Sequence, residues 1–110
     1  MIDPDDIGDL AADVGRRLRL SRVALGYPDR QQIDFATDSG IAQSHYNKFE
    51  SGARCLTLNV AMKLCHRWGL TLDWLFRGDP SGLPYKLATD IKELRRVERE
   101  QRATSKATQS

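Results

Sequence analysis

The sequence predicts an all-α fold, with a bundle of five helices followed by an additional C-terminal helix. Apolar residues recur at steps of three, four or seven, and the alternating apolar and polar runs typical of strands are absent. Glycines interrupt this pattern at intervals that suit helix ends. With 110 residues, of which 40% are hydrophobic, the chain can build one domain around one modest core.

Charge is unevenly distributed, although the formal net charge is only +2. The first 13 residues hold five aspartates and no basic residue, whereas residues 14–77 hold ten Arg or Lys and five acids. A basic body of this kind permits an anionic partner. No apolar run approaches the ~18 residues of a membrane span, no targeting segment is recognisable, and the two cysteines form no C-x-x-C pair. We therefore expect a cytoplasmic protein with no membrane role.

The first two helices are predicted from periodicity and from end signals. The first runs from about Asp6 to Leu25, before the sequence Gly-Tyr-Pro. Asp29 and Gln32 nearly match a capping box, which predicts a second helix that starts at Asp29. Gly40 follows this helix as the residue of positive φ that ends it.

The remaining helices are shorter, except for the last. We predict a third helix over Gln43–Glu50, a fourth capped by Thr57 and a fifth capped by Thr71. These helices complete a domain over residues 1–80. Residues 81–102 form a linker and a sixth helix, and the small polar residues 103–110 are expected to be disordered.

The segment from Gln32 to Gly52 has the steric pattern of a helix-turn-helix. Ala36 allows close approach of a second helix, and Gly40 permits the sharp turn between the helices. Apolar residues then fill the angle between the two helices: Ile41, Tyr46 and Phe49. On a wheel at about 100° per residue, the third helix has polar residues almost opposite its two aromatic rings: Gln43, Ser44, Asn47 and Lys48. Such side chains suit base edges in a major groove, although a merely solvated face has the same composition.

These residues, together with Thr71-Leu72-Asp73-Trp74-Leu75 and Gly78, resemble the helix-turn-helix of the Cro and phage-repressor type, the XRE family. The resemblance covers about residues 8–78 and implies a five-helix, lambda-repressor-like domain that binds palindromic double-stranded DNA as a dimer. It implies base contacts from Gln43, Ser44 and Lys48, to which the wheel adds Asn47. It also implies phosphate contacts from Gln32 and from the Ser51–Arg54 loop. We expect Arg30 and Arg54 to contribute affinity.

The sequence departs from the family pattern at two places. Ala42 occupies the usual cap position of the recognition helix, where Ser or Thr is common. About three extra residues lie between Arg22 and Gln32, so Gln32 has either the phosphate role or a structural role in the capping box. Arg22 and Glu50 match the family's inter-helix ion pair, and we expect them in contact.

Other chemistry has little support in the sequence. His45 and His66 have no metal-ligand spacing to Cys, Asp or Glu, and no nucleophile or phosphate loop indicates catalysis, so we expect no metal, cofactor or enzymatic activity. Asp34 and Asp38 form either a solvated face or an acidic patch that recruits RNA polymerase.

Trp74 lies off the apolar stripe of its helix, and we expect it to be covered by the sixth helix or by a second subunit. The candidates for dimer contacts are Trp74, Leu87, Ile91 and Leu94. The sequence thus favours a sequence-specific DNA-binding regulator, as a homodimeric repressor. The alternative is an antitoxin or anti-activator that acts mainly by binding a protein partner.

Overall fold

A computed structural model describes the backbone of residues 4–109 and the side chains of residues 10–103. Its helices are α1 (Pro4–Ala24), α2 (Gln32–Asp38), α3 (Gln43–Ser51), α4 (Leu58–Trp68), a π-helical turn α5 (Asp73–Arg77) and α6 (Tyr85–Gln109), with a 3₁₀ turn over Asp29–Gln31. The described part contains no strand, and the predicted all-α architecture with six helices is confirmed.

One core holds α1 to α5 together and extends under α6. Its fully buried centre includes Val14 and Leu18 from α1, Phe35 from α2 and Leu64 from α4. Apolar residues recurring at helical spacing therefore face inward on every helix of the bundle, which is the arrangement that hydrophobic burial favours. The same core receives Ile91 from α6, so the C-terminal helix is packed onto the bundle.

The predicted helix ends are mostly correct. The Thr57 Oγ1 accepts a hydrogen bond from the Val60 amide at 3.3 Å, and the Thr71 Oγ1 accepts one from the Trp74 amide at 3.0 Å. These bonds satisfy amides that have no partner within the helix. Gly40 has the predicted positive φ of +74°, in the turn between α2 and α3.

The predicted capping box at the start of the second helix is wrong. The Asp29 carboxylate accepts hydrogen bonds from Arg22 at 2.7 Å and from Arg19 at 3.0 Å, and it caps no amide. Two guanidinium groups, which both carry a full positive charge, bind the carboxylate more strongly than one backbone amide does. Asp29 therefore lies in a 3₁₀ turn, and α2 begins at Gln32 without a side-chain cap.

The prediction of a disordered tail over 103–110 is also wrong for the backbone of residues 103–109, because α6 continues to Gln109. Ser110 lies outside the described residues. This stretch contains Ala, Lys and Gln, which are good helix formers, and adding residues to an existing helix avoids the cost of nucleation.

Candidate nucleic-acid interface

Helix α3 is fixed to the bundle by two aromatic side chains. Tyr46 and Phe49 are 0% and 2% exposed, and the Tyr46 ring makes an edge contact with Phe35 of α2, with 5.6 Å between ring centroids. The turn before α3 is closed by a hydrogen bond of 2.9 Å from the Ile41 amide to the Ala36 carbonyl, and both residues are buried. The steric pattern predicted for a helix-turn-helix is therefore present.

The opposite face of α3 is open to solvent. Gln43, Ser44, Asn47 and Lys48 are all exposed, in agreement with the predicted geometry. His45 is exposed as well, at the border of this face. Together the four side chains form what we call the recognition face, which offers amide, hydroxyl and ammonium groups and no carboxylate. Amides of Gln and Asn can pair with adenine, and the Lys ammonium can reach guanine acceptors.

Side chains expected at phosphates lie at the two ends of the helix-turn-helix. Gln32 is the half-buried first residue of α2, and the structure gives it no capping role. Arg30 is exposed in the preceding turn. Beyond α3, Ser51 and Arg54 are exposed, and the Arg54 amide donates to the Lys48 carbonyl at 3.2 Å, which ties this loop to the recognition helix.

The predicted ion pair between Arg22 and Glu50 is present and nearly dry. Arg22 Nη2 lies 2.7 Å from Glu50 Oε1 and Nε lies 3.1 Å from Oε2, a bidentate arrangement in which the side chains are 1% and 7% exposed. The same guanidinium donates to the Tyr27 carbonyl at 2.8 Å and to Asp29 at 2.7 Å. These acceptors raise the pKa of Arg22 despite the opposing effect of burial, so the group stays charged inside the protein.

This ion pair is part of a longer chain of charges. Glu98 on α6 pairs with Arg19 at 3.1 Å, Arg19 pairs with Asp29, Asp29 with Arg22, and Arg22 with Glu50 on α3. We call these five residues the ion-pair chain. It links the C-terminal helix to the recognition helix through α1 and the 3₁₀ turn. Only the Arg22–Glu50 pair of this chain is buried, and a buried pair fixes orientation more than it adds stability, whereas the Arg19, Asp29 and Glu98 side chains are largely exposed.

The Tyr46 hydroxyl lies beside this chain without a hydrogen-bond partner among the described residues. Burial, followed by the nearby Glu50 charge, raises the pKa of Tyr46, so the phenol stays neutral. Its ring provides packing, while Arg22 and Glu50 provide the polar anchoring.

Gly15 is a site residue that the sequence patterns did not predict. A Cβ placed on Gly15 would lie 2.5 Å from the Glu50 carbonyl oxygen and 2.9 Å from that of Phe49. The backbone of α3 therefore occupies the space that a Cβ atom at position 15 of α1 would need. A glycine inside a predicted helix carries a stability cost, and this cost was the available signal for a close helix crossing.

The expected dimer contacts are mostly used inside the protomer, which corrects that prediction. Trp74 is 0% exposed, and its Nε1 donates to the Ser21 hydroxyl at 2.8 Å. Leu87 and Ile91 of α6 are also buried in the common core, and Leu94 is half-buried. The sixth helix thus covers this part of its own bundle, and the three buried side chains offer no surface to a second subunit.

The histidines, cysteines and aspartates outside the interface do not assemble a metal site in the described part. His66 and Cys55 are exposed, and Cys65 is half-buried, with a pKa raised by burial. Asp34 is exposed, and Asp38 accepts a hydrogen bond from the Tyr27 hydroxyl at 2.6 Å. Across residues 10–103, His, Cys, Asp and Glu side chains form no cluster of three suited to a metal ion. No described helix combines the length and apolarity needed to cross a bilayer.

Comparison with known proteins finds a family-model match over part of the chain. Residues 29–75 match a family model described as helix-turn-helix, of the Cro/C1 type. This segment contains α2, α3, α4 and most of α5, and therefore the whole recognition face. The chain has no significant match among curated proteins or among solved structures.

Proposed function

We propose that this protein, whose residues 29–75 match a model of the Cro/C1-type helix-turn-helix (XRE) DNA-binding regulators, is a repressor that binds an inverted-repeat operator as a homodimer in the cytoplasm. The family is generally not enzymatic. The observation that carries the proposal is the exposure of Gln43, Ser44, Asn47 and Lys48 directly opposite the buried Tyr46 and Phe49.

In this proposal the recognition face reads base edges in a major groove. Asn47 and Gln43 would pair with adenine and Lys48 with guanine, while Ser44 accepts either base. Gln32, Arg30, Ser51 and Arg54 would bind phosphates on either side and set the register of α3. The absent capping box supports the phosphate role of Gln32, because Asp29 is held by arginines instead.

Two substitutions separate these roles. Lys48→Ala removes a proposed base contact and should weaken binding to the preferred duplex by about 1–3 kcal/mol, with little change on random duplex. Arg54→Ala removes a proposed phosphate contact and should weaken binding to both duplexes alike. Fluorescence anisotropy with the two duplexes measures both effects. Equal losses on both duplexes for both variants would contradict the assigned roles.

The operator is found by selecting bound oligonucleotides from a random duplex pool. A symmetric dimer should recover an inverted repeat whose half-sites lie about one helical turn apart, roughly 10 base pairs between centres or a multiple of this. A single asymmetric half-site would contradict the dimer. Failure to enrich any sequence would contradict specific recognition.

For the dimer contact we propose α4 in place of the buried candidates. Leu58 and Met62 lie one helical turn apart on α4 and are 63% and 52% exposed, so the two side chains form one small apolar surface. A double Leu58→Asp/Met62→Asp variant should sediment as a monomer and lose affinity for the full operator more than for a half-site. An unchanged sedimentation coefficient would contradict this assignment.

The same apolar pair also favours the second candidate function, in which an antitoxin or anti-activator binds a protein partner. The dependence of binding affinity on salt concentration distinguishes the two functions. Duplex binding through several basic contacts should weaken by orders of magnitude between about 50 and 200 mM salt, whereas an apolar protein interface should be little affected.

A further inference from the structure

A groove between α1 and α6 is lined by several arginines, none of which is among the proposed DNA contacts. It encloses about 370 Å³. Six guanidinium groups line it: Arg16, Arg17, Arg19, Arg95, Arg99 and Arg102. We call it the arginine groove. The four side chains of the recognition face do not line it, so its occupant can be studied separately from DNA contacts.

Carboxylates neutralise only part of this charge. Of the eight charged groups that line the groove, two are acidic: Asp13 pairs with Arg16, and Glu98 pairs with Arg19 at 3.1 Å. Four positive charges are left over within the groove.

The remaining guanidiniums have weaker partners. Arg17 donates to the Leu75 carbonyl at 3.1 Å, and the Arg95 guanidinium lies 5.7 Å from the centroid of the Trp74 ring. Arg99 and Arg102 make no ion pair with the described carboxylates. Burial lowers the pKa of Arg17, and the charges of Arg95 and Arg16 lower it further, against the opposing effect of Asp13. Positive charges therefore repel one another in a partly enclosed space.

We propose that the arginine groove binds a small molecule that carries two or more phosphate groups. Guanidinium groups bind phosphate oxygens through paired, charge-assisted hydrogen bonds, and a concave wall of one charge sign concentrates counter-ions. The volume falls at the lower end of small-molecule sites and is too small for a helix or a duplex. Because α1 and α6 each contribute three arginines, such a ligand bridges the two helices.

The ion-pair chain gives the ligand a route to the recognition helix. Arg19 belongs both to the groove and to the chain, so a phosphate group would compete with Glu98 for this guanidinium. From Arg19 the ion-pair chain continues to Asp29, then to Arg22, and ends at Glu50 on α3. An effect of the ligand on operator affinity rests on the proposed function, whereas ligand binding itself does not.

The test is titration calorimetry of the full chain with inorganic tripolyphosphate and, separately, with ATP at about physiological ionic strength. We expect saturable binding of tripolyphosphate with one ligand per chain and much weaker binding of orthophosphate. Equal affinity for ATP and tripolyphosphate would mean that the phosphates suffice, and tighter binding of ATP would add recognition of the nucleoside. Absence of saturable binding of both probes overturns the proposal.

A matched pair of variants locates the site. Arg99→Gln/Arg102→Gln removes two groove charges and should weaken tripolyphosphate binding at least tenfold. Lys86→Gln/Lys92→Gln removes two exposed charges from the same helix outside the groove and should leave the affinity within about twofold. Equal losses in both variants overturn the site assignment. Thermal unfolding followed by circular dichroism shows that each variant is folded, and because the readout is direct binding, failure of operator recognition would leave this result intact.

Discussion

Replacing Glu50 by Gln tests whether the buried ion pair holds the recognition helix. Glu50→Gln keeps the shape of the side chain and removes its charge. Arg22, at 1% exposure, then keeps two acceptors, Asp29 and the Tyr27 carbonyl, while its bidentate contact at 2.7 and 3.1 Å becomes at best one bond to a neutral amide oxygen.

The magnitude follows from these contacts. Breaking a fully buried pair typically costs about 3–5 kcal/mol, and a hydrogen bond to a charged group contributes about 1.5–3 kcal/mol. Because Asp29 and Tyr27 still hold the guanidinium, we expect the free energy of unfolding to fall by about 2–3 kcal/mol. For a domain of this size, that loss corresponds to a decrease of about 10 °C in Tm.

Urea denaturation followed by circular dichroism measures the change in the free energy of unfolding. Glu100→Gln is the matched control, since it removes the same charge from a residue paired with Arg96 on the surface, where the effect should be below about 0.5 kcal/mol. If Glu50→Gln destabilises the protein no more than Glu100→Gln does, the ion pair does not anchor α3.

Three further perturbations probe the packing and the charges around the site. Ile91→Ala should lower the free energy of unfolding by about 2–4 kcal/mol because the side chain is 1% exposed in its own protomer. The Tm of this variant should not depend on protein concentration, whereas a concentration-dependent Tm would place Ile91 in a dimer interface. Gly15→Ala should destabilise the protein and weaken operator binding because the added Cβ would lie 2.5 Å from α3 backbone. This loss is expected although alanine has the higher helix propensity, and an unchanged free energy of unfolding would refute the close crossing of the two helices. Hydrogen bonds from Arg19 and then Arg22 lower the pKa of Asp29 in the folded state. The carboxylate therefore stabilises the fold above its unfolded pKa of about 4, and this stabilisation is lost as pH falls through the lower folded pKa. Between pH 5 and pH 3, Asp29→Asn should lose less stability than the parent chain does, as measured by urea titrations.

The recognition face could be predicted from the sequence because it depends on local periodicity. In a helix of nine residues, Tyr46 and Phe49 share one side, so the positions of Gln43 and Lys48 follow from the geometry of the helix alone. The Arg22 contact with Glu50 was predicted too, but only through resemblance to a family, because the residues are 28 positions apart. Spacing in the sequence carries no information about a contact of that range.

The surroundings of Asp29 show why local patterns fail where distant charges compete. The local sequence offers a capping box, and in an isolated peptide Asp29 would satisfy backbone amides. Folding brings Arg19 and Arg22 of α1 to the same carboxylate, and their charge-assisted bonds replace the cap. The start of α2 and the freedom of Gln32 to contact phosphate are therefore decided by tertiary structure.

The same competition explains the error at α6. An amphipathic stripe containing Leu87 and Ile91 must be covered, yet periodicity cannot distinguish the helix's own bundle from a second subunit. The deciding feature is Trp74, whose indole donates a hydrogen bond to Ser21 of α1 and lies 5.7 Å from the Arg95 guanidinium of α6, in the core that Ile91 also enters. Since α6 is committed to its own protomer and also contributes Glu98 to the ion-pair chain, changes at the C-terminal helix should reach α3 through side-chain contacts within one chain. A second subunit is not required for such coupling, and a Glu98→Gln variant locked as a monomer should therefore still show altered half-site affinity.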